Sequence, residues 1–458
     1  QRWGDTTLGE LVGLKEPDED ELYAALDWLG ERQEQVETAL ARRHLSAGAV
    51  VLYDVTSTYV TGRECPLAAY GYSPDTSGRD REQIVFGLVL DGEGRPLGVE
   101  AFAGNTADPA TVERQVERLK GRYGLERVVL VGDRGMLTQA RIEGLKKRGG
   151  IDWISCLRMP AVRSLLEQGA FQLSLFDERD LVEITSPAYP GERLVVCRNP
   201  LLREERARKR EDLLERTEVA LGKVQSRVAG GRLRGAERIG VAVGKVLDRW
   251  KMGKHFQLTV SDGQLTFRRD EEKIQAEAAL DGLYVVRTNL PEERLDGPGV
   301  VEAYKSLSRA ERAFRTFKTM DLEVRPIFHY RENRVRAHLF LCLLAAYVQW
   351  HLERALAPLL LREEGPVVRE NPVAPAPRSA MARSKDRRRQ TIDGSGLPVQ
   401  SLRTLLQHLG TLTKNRIGLR TPPQPGTAAS AVHFDQLSIP TPLQARVFEL
   451  LGFTPASM

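Results

Sequence analysis

Apolar and polar residues between positions 49 and 160 follow a strand period of two in some segments and a helical period in others. The first three apolar segments have strand character, and turn residues at 91–94 join the second and third into a hairpin. The segment order predicts a mixed sheet flanked by helices, an α/β fold. The predicted segments are strands at 49–60, 84–91 and 95–104, a helix from 108 capped by Asp108, a strand at 127–133, a helix at 137–147 and a strand at 152–157.

The pattern changes along the chain and divides it into six parts. Between 161 and 282 a charge-dense helical run lies among short β-like pieces, which indicates a mixed α/β insertion domain. The chain opens on Gln1, so we expect the first part to be the end of a larger domain. The predicted parts are a helical N-terminal remnant (1–48), the first part of the core (49–160), the insertion (161–282), the second part of the core (283–360), a basic Pro-rich linker (361–398) and a C-terminal tail (399–458).

The segment YKSLSRAERAFRTFK, residues 304–318, has the residue pattern of an amphipathic helix. At about 100° per residue, apolar side chains form one stripe and Glu311 lies at its edge, in a narrow arc with a tyrosine and two cations. This arrangement predicts a catalytic helix whose glutamate binds a metal while its neighbours bind phosphate oxygens. A solvated edge of an ordinary helix is the alternative. The residues of the polar arc are Tyr304, Glu311, Arg315 and Lys318, and those of the apolar stripe are Ala303, Leu307, Ala310, Phe314 and Phe317.

Composition narrows the class of protein only modestly. The chain has 458 residues, of which 41% are hydrophobic, enough to fill substantial cores. Its 67 Lys and Arg against 62 Asp and Glu give a net charge of +5, and the pI near 9.0 favours a polyanionic partner. The four cysteines form no CxxC pair, which favours free thiols in a reducing cytoplasm over zinc or disulfides. The longest apolar run, 339–348, is about half of a membrane span, so we expect no membrane association.

Two aspartates lie at strand positions from which their side chains could converge. Asp54 lies in the first predicted strand, and Asp133 closes the fourth. If these two strands are neighbours, both carboxylates could bind Mg²⁺, with Glu311 from the later helix completing the group. Two such ions activate a nucleophile and stabilise the leaving oxygen in phosphodiester chemistry. For each aspartate alone, a role as a turn or cap residue is the alternative.

Together these features resemble the DDE transposases of bacterial insertion sequences, which have an RNase H-like catalytic core. The resemblance covers about 49–352 and is closest to the group with a Tyr-Arg-Glu-Lys signature and an insertion before the glutamate. The spacing of Tyr304, Glu311 and Lys318 matches that signature. Further family-like segments are YDVTSTYV in the first strand, VGDRGM at Asp133, 71–108 and 325–345.

The resemblance implies a function and a set of site residues. It implies metal-dependent cleavage at the ends of an insertion sequence, followed by strand transfer of the 3′-hydroxyl into target DNA. Asp54, Asp133 and Glu311 would be the catalytic metal ligands for two Mg²⁺ ions, for which Mn²⁺ could substitute. Tyr304 and Lys318 would contact DNA phosphates. The implied partners are terminal inverted repeats and target DNA, bound by a homodimer.

One signature position departs from the family pattern. Leu307 stands where the signature has arginine, so a cationic phosphate contact is missing there. Arg315 lies one helical turn after Glu311, and we expect it to supply the missing contact, because a guanidinium binds phosphate bidentately.

Two other classes of protein share some of these features. A phosphohydrolase of the haloacid dehalogenase type also has an aspartate late in an apolar strand, but it needs a second aspartate where this chain has Thr56. A domesticated, inactive DNA-binding descendant is the other alternative, and a broken set of acids would be expected there. All three acids are present.

Overall fold

The fold is that of a computed structural model, which describes most of the chain. The described residues are 6–14, 16–61, 64–71, 81–171, 176–177, 179–320, 322, 324–361, 373, 383–385, 396–420 and 431–453. Most of the predicted linker at 361–398, and residues 72–80 of the family-like segment at 71–108, lie outside them.

The described residues form the following strands and helices. The strands are β1 Ala49–Tyr59, β2 Ala69–Tyr70, β3 Glu82–Asp91, β4 Pro96–Ala103, β5 Val128–Val131, β6 Ile151–Cys156, β7 Leu181–Ile184, β8 Arg193–Arg198, β9 Phe256–Ser261, β10 Gln264–Arg269, β11 Leu283–Thr288, β12 Lys414–Arg420 and β13 Ala431–Leu437. The α-helices are α1 Leu8–Val12, α2 Glu19–Glu31, α3 Gln33–His44, α4 Asp108–Glu117, α5 Gln139–Arg148, α6 Met159–Glu167, α7 Pro200–Ala229, α8 Ala236–Trp250, α9 Glu271–Ala278, α10 Gly297–Lys305, α11 Ser308–Arg315, α12 Glu332–Ala355, α13 Leu402–Leu409 and α14 Pro442–Leu451. Two π-helical turns lie at Arg118–Arg122 and Thr316–Met320.

The chain divides into two compact units. The first unit comprises Gln1–Trp153, Lys305–Val368 and Ala376–Met458, and the second comprises Ile154–Tyr304 and Arg369–Pro375. The predicted insertion at 161–282 lies within the range of the second unit.

The first unit contains β1, β3, β4 and β5 of the predicted core, and β6 crosses the boundary between the two units. Strand β1 pairs antiparallel with β3 and parallel with β5, and β4 pairs antiparallel with β3. The resulting order, β4-β3-β1-β5-β6, mixes parallel and antiparallel pairs. This is the strand order of an RNase H-like core, so the predicted fold class is confirmed.

The two faces of this sheet carry different residues because side chains alternate along each strand. Tyr53 and Leu130 belong to a core that also includes Ala41 of α3, Val112 of α4 and Ile142 of α5. The opposite face of β1 carries Leu52, Asp54 and Thr56, so an acidic residue lies among buried strand positions on the side away from these helices.

A buried ionic network anchors α3 to the sheet. Glu37 is fully buried, accepts a hydrogen bond from the backbone N–H of Val99 at 3.0 Å, and pairs with Arg118. Arg118 also lies 3.3 Å from Glu100, and the hydroxyl of Tyr123 donates to Glu37 at 3.2 Å. These bonds satisfy the charges, which would otherwise be costly in the interior.

The second unit contains two separate cores. Strands β11, β8 and β7 pair antiparallel, and their residues pack with α6. The second core lies between α7, α8 and the β9–β10 hairpin, and it includes Leu221, Val243 and Phe256. The charged run of the sequence is therefore the long helix α7, whose apolar side is buried in a core of its own.

The described residues test two predictions about single residue types, the cysteines and the helix cap at Asp108. The four cysteines are buried and free, as predicted. No described helix is long and apolar enough to cross a membrane. The prediction that Asp108 caps its helix is wrong, because Ala107 takes the cap position and Asp108 is already helical.

The Glu37 network gives a stability prediction. Changing Glu37→Ala leaves the Arg118 guanidinium buried with one carboxylate fewer, so we expect the free energy of unfolding to fall by about 3–5 kcal/mol. Glu34→Ala, which removes an exposed carboxylate of the same helix, should change it by about 0.5 kcal/mol or less. Urea denaturation measures both. Equal losses in the two variants would contradict the importance of the buried network.

Candidate functional site

The parallel pairing of β1 with β5 determines where Asp54 and Asp133 lie. Leu52 is the register partner of Val131. Asp54 follows two residues later within β1 and faces the same side as Leu52, and Asp133 follows two residues after the end of β5. The two carboxylates therefore lie at the same end of neighbouring strands, close enough for the charge of Asp133 to raise the pKa of Asp54.

Aromatic packing holds α11 against that face. Thr56 of β1 is the register partner of Phe86 of β3, so Phe86 faces the same side as Asp54. The Phe86 ring lies 5.6 Å from that of Phe314 and 6.2 Å from that of Phe317, between ring centroids. Phe317 is fully buried, whereas Glu311 is exposed. The helix thus buries its apolar side on the sheet and carries Glu311 at the solvent.

The electrostatics of Asp54 reflect a cluster of acidic groups. Its pKa is raised to about 7, chiefly by burial, with smaller contributions from the charges of Asp133, Asp108 and Glu311. The backbone N–H of Val55, 2.9 Å from the Asp54 Oδ1 atom, opposes this shift. Partial burial and the Asp133 charge likewise raise the pKa of Asp108. Acidic side chains from two strands and two helices therefore lie within electrostatic reach of one another.

Asp133 is held in place by the backbone that follows it. Its Oδ1 atom accepts hydrogen bonds from the N–H groups of Gly135 at 2.9 Å and Met136 at 2.8 Å. A Cβ at position 135 would lie 3.3 Å from the same oxygen, so glycine leaves room for the carboxylate. The turn after β5 fixes the direction of this side chain.

The donor set of the site suits a hard divalent cation. Among the described residues, no three His, Cys, Asp or Glu side chains form a group that could hold a metal ion. Mg²⁺, however, binds through one or two carboxylates and completes its shell with water and phosphate oxygens. Asp54 and Asp133 supply such carboxylates, and a cation would favour the ionised form of Asp54, whose pKa is raised by burial and by the neighbouring acidic charges. The residues present therefore fit Mg²⁺.

The prediction of one continuous helix over residues 304–318 is wrong. Tyr304 lies in α10, whereas Glu311 and Arg315 lie in α11, and Lys318 lies in the π-helical turn that follows. A turn at residues 306 and 307 separates the helices. There the N–H of Arg309 bonds to the carbonyl of Ser306 at 2.8 Å, a three-residue span that tightens the backbone.

The break changes which signature residues share a surface. Tyr304 is half-buried at the end of the second unit, so the common arc predicted for it and Glu311 does not follow from helical geometry. Glu311 and Arg315 remain one turn apart on α11, and both are exposed. Lys318 is buried, with 8% of its surface exposed, and Leu307 is half-buried at the start of α11.

The sequence does not predict that two further residues, Asp108 and Arg309, lie near the site. Asp108 contributes to the acidic cluster, although the motif before Pro109 indicates a helix cap, and no pattern in the sequence distinguishes these roles. Arg309 donates a hydrogen bond to the carbonyl of Gly92, which ties α11 to the β3–β4 turn. A side chain at Gly94, where φ is +84°, would meet the Cβ of Arg309 at 2.8 Å.

Comparison with known proteins identifies one family. A family model described as Transposase DDE domain matches residues 46–348, more than half of the 458-residue chain. No curated protein matches the sequence. A solved structure, Mos1 transposase paired-end complex with left transposon end, is similar at 13% identity and a TM-score of 0.17. The similarity covers 33% of this chain and 46% of that one, so it spans less than half the length of that protein.

The raised pKa of Asp54 gives a prediction for stability against pH. Its folded pKa of about 7 exceeds the ordinary value of 3.8, so ionising it in the folded state costs stability as pH rises from 4 to 7. In metal-free protein at about pH 8, Asp54→Asn should therefore raise the free energy of unfolding, by at most about 4 kcal/mol. The gain should vanish near pH 4.

Urea denaturation in a chelator at both pH values measures this difference. Asp212→Asn, at an exposed position of α7, is the matched control and should give a small change that is the same at both pH values. A gain from Asp54→Asn that does not depend on pH would contradict the prediction.

Proposed function

The chain belongs to the DDE transposase family, and we propose on that premise that it cuts DNA at the ends of an insertion sequence and transfers the freed 3′-hydroxyl to target DNA. Asp54, Asp133 and Glu311 are the proposed catalytic residues, and all three lie within the matched range 46–348.

Each acidic residue has a distinct part in the proposed site. Asp54 and Asp133 extend from neighbouring strands and would hold Mg²⁺ between them, and Glu311 would approach from α11. Mn²⁺ has the same preference for oxygen ligands and could substitute. Bound divalent ions would supply activation of the attacking oxygen and stabilisation of the leaving oxygen in phosphodiester displacement. No covalent bond between protein and DNA is needed.

One observation carries this proposal. Asp54, half-buried in the middle of a sheet, lies on the face that packs against α11, and the charge of Asp133, just beyond the end of β5, raises its pKa. Acidic side chains so placed repel one another and destabilise the unliganded fold. Such an arrangement is typical of a site that uses charge for function.

The proposed contacts to DNA phosphates come from three side chains. Arg315 is exposed one turn after Glu311 and would provide the guanidinium that Leu307 does not. Lys318 and Tyr304 would contact phosphates near the cleaved end. The proposed partners are terminal inverted repeats and target DNA, with two copies of the chain holding two ends.

A domesticated DNA-binding protein without activity is the remaining alternative. It would not require a half-buried Asp54 beside Asp133, because DNA binding gains nothing from carboxylates that repel phosphate. Membership of the DDE transposase family gives no support to a haloacid dehalogenase-type phosphohydrolase.

The catalytic proposal predicts which substitutions abolish cleavage. With Mg²⁺ and duplexes that end in the inverted repeats flanking the gene, the wild-type protein should nick at the repeat boundary. Asp54→Asn, Asp133→Asn and Glu311→Gln should each lower the nicking rate by about 100-fold or more, since several kcal/mol of charge stabilisation is lost. Asp212→Asn should cut normally. Denaturing gels measure the products, and a wild-type protein that binds the repeats but never nicks them would favour the domesticated alternative.

The phosphate contact predicted for Arg315 needs a separate test. Arg315→Ala should reduce strand transfer by about tenfold or more, whereas Arg315→Lys should retain part of it, because lysine keeps the charge but not the bidentate geometry. Lys318→Ala serves as the comparison variant in the same strand-transfer assay. Full strand transfer by Arg315→Ala, beside its loss in Lys318→Ala, would show that Arg315 does not replace the missing arginine.

A further inference from the structure

Two helices of the second unit carry cations at the same spacing. On each helix the cations are separated by seven and then four residues, which places them within about 40° of one another around the axis. All six side chains are exposed. They are Arg216, Lys223 and Arg227 on α7, and Arg238, Lys245 and Arg249 on α8.

The two rows of cations border one groove. Residues 230–235 join α7 to α8, and the helices share a core that includes Val224 and Val243. A connection this short makes neighbouring helices antiparallel. The guanidinium carbons of Arg216 and Arg249 lie 5.9 Å and 5.0 Å from the ring centroid of Trp250, so the rows meet at this ring. We call the surface between the rows the cationic groove.

The charge of the cationic groove is uncompensated within the described part of the chain. None of its six cations forms an ion pair among the described residues, whereas the neighbouring Lys251 pairs with Asp248 and Lys254 pairs with Glu277 at 2.8 Å. Glu218 is likewise occupied, at 2.8 Å from Arg269. Six unpaired cations side by side repel one another, so the groove suits a polyanion.

The dimensions of the cationic groove suit the backbone of DNA. Eleven residues of helix span about 16 Å. Phosphates of one DNA strand follow at about 3.4 Å along the duplex axis, so a row spans about five of them. Two parallel rows of long, mobile cationic side chains match a regular line of phosphates better than an irregular acidic protein surface.

We propose that the cationic groove of α7 and α8 binds the phosphate backbone of duplex DNA without regard to base sequence. The proposal rests on the proposed function for the identity of the polyanion. Trp250 holds the Arg216 and Arg249 guanidinium groups by cation–π contact at one end of the groove. Phosphate contacts position a duplex but carry no sequence information.

Two variants with equal net charge test the proposal. The groove variant combines Lys223→Gln, Arg227→Gln, Arg238→Gln and Lys245→Gln. The control combines Lys251→Gln, Lys254→Gln, Arg268→Gln and Lys273→Gln, exposed cations of the same unit whose side chains already have partners. Both variants are made in the full chain with Asp54→Asn added, and they are assayed in the presence of a chelator, so that no cleavage occurs. Circular dichroism and thermal unfolding check that both variants are folded.

Fluorescence anisotropy with a terminal-repeat duplex and a scrambled duplex, from about 50 to about 200 mM salt, gives the affinities. Each phosphate contact contributes about 0.9 to the slope of log affinity against log salt, and the groove variant removes four cations. Its slope should therefore be shallower than that of the parent by about 3–4, and the change should be equal for both duplexes. The control should keep the parent slope. A variant with Lys223→Arg and Lys245→Arg keeps the charge and should also keep that slope.

These affinity measurements test DNA binding by the cationic groove independently of whether the chain cuts DNA. A groove variant with the parent slope, or a control that loses as much, would overturn the proposal even if the wild-type chain cuts DNA. A loss confined to the terminal-repeat duplex would also overturn it, because phosphate contacts are blind to sequence. A groove-dependent slope in a chain that never cuts DNA would refute only the proposed catalytic function.

Discussion

The parallel pairing of β1 with β5 is the constraint on which the candidate site depends. It sets Leu52 opposite Val131, so Asp54 and Asp133, each two residues further along the chain, lie at the same end of neighbouring strands. A shift of one residue in β1 would turn Asp54 to the opposite face, where the core packs against α3, α4 and α5. The antiparallel pairing of β1 with β3 adds Phe86 to the face that carries Asp54, and Phe86 positions α11.

The same geometry lowers the stability of the folded protein at the site proposed to be functional. A half-buried Asp54 near Asp133, Asp108 and Glu311 is unfavourable when ionised, and burial is the largest cause. Compensation elsewhere keeps such a site folded: the Glu37 network satisfies its charges internally, and three phenylalanine rings fix α11. The chain belongs to the DDE transposase family, and under the proposed function divalent cations would balance the negative charge of this site.

Much of this could be predicted from the sequence, because period-two strands and short turns leave few arrangements open. The strands around Asp54 and Asp133 and the mixed sheet were predictable. The break after Tyr304 was not, since Ser306 and Leu307 fit a helical period as well as they fit a turn. Asp108 was assigned as a cap, because local motifs do not reveal which carboxylates meet in space. The cationic groove could not be predicted for a similar reason. The sequence shows the spacing of the cations along each helix, but it does not show that α7 packs beside α8.

We propose that Asp54 and Asp133 bind a divalent cation together at the end of the β1–β5 pair. Electron paramagnetic resonance of Mn²⁺ added to the complex of the protein with a terminal-repeat duplex tests it directly, because bound and free Mn²⁺ give different signals. We expect bound Mn²⁺ in the wild-type complex and its loss in both Asp54→Asn and Asp133→Asn, with DNA affinity unchanged. Equal Mn²⁺ binding by the wild-type protein and both variants would contradict it.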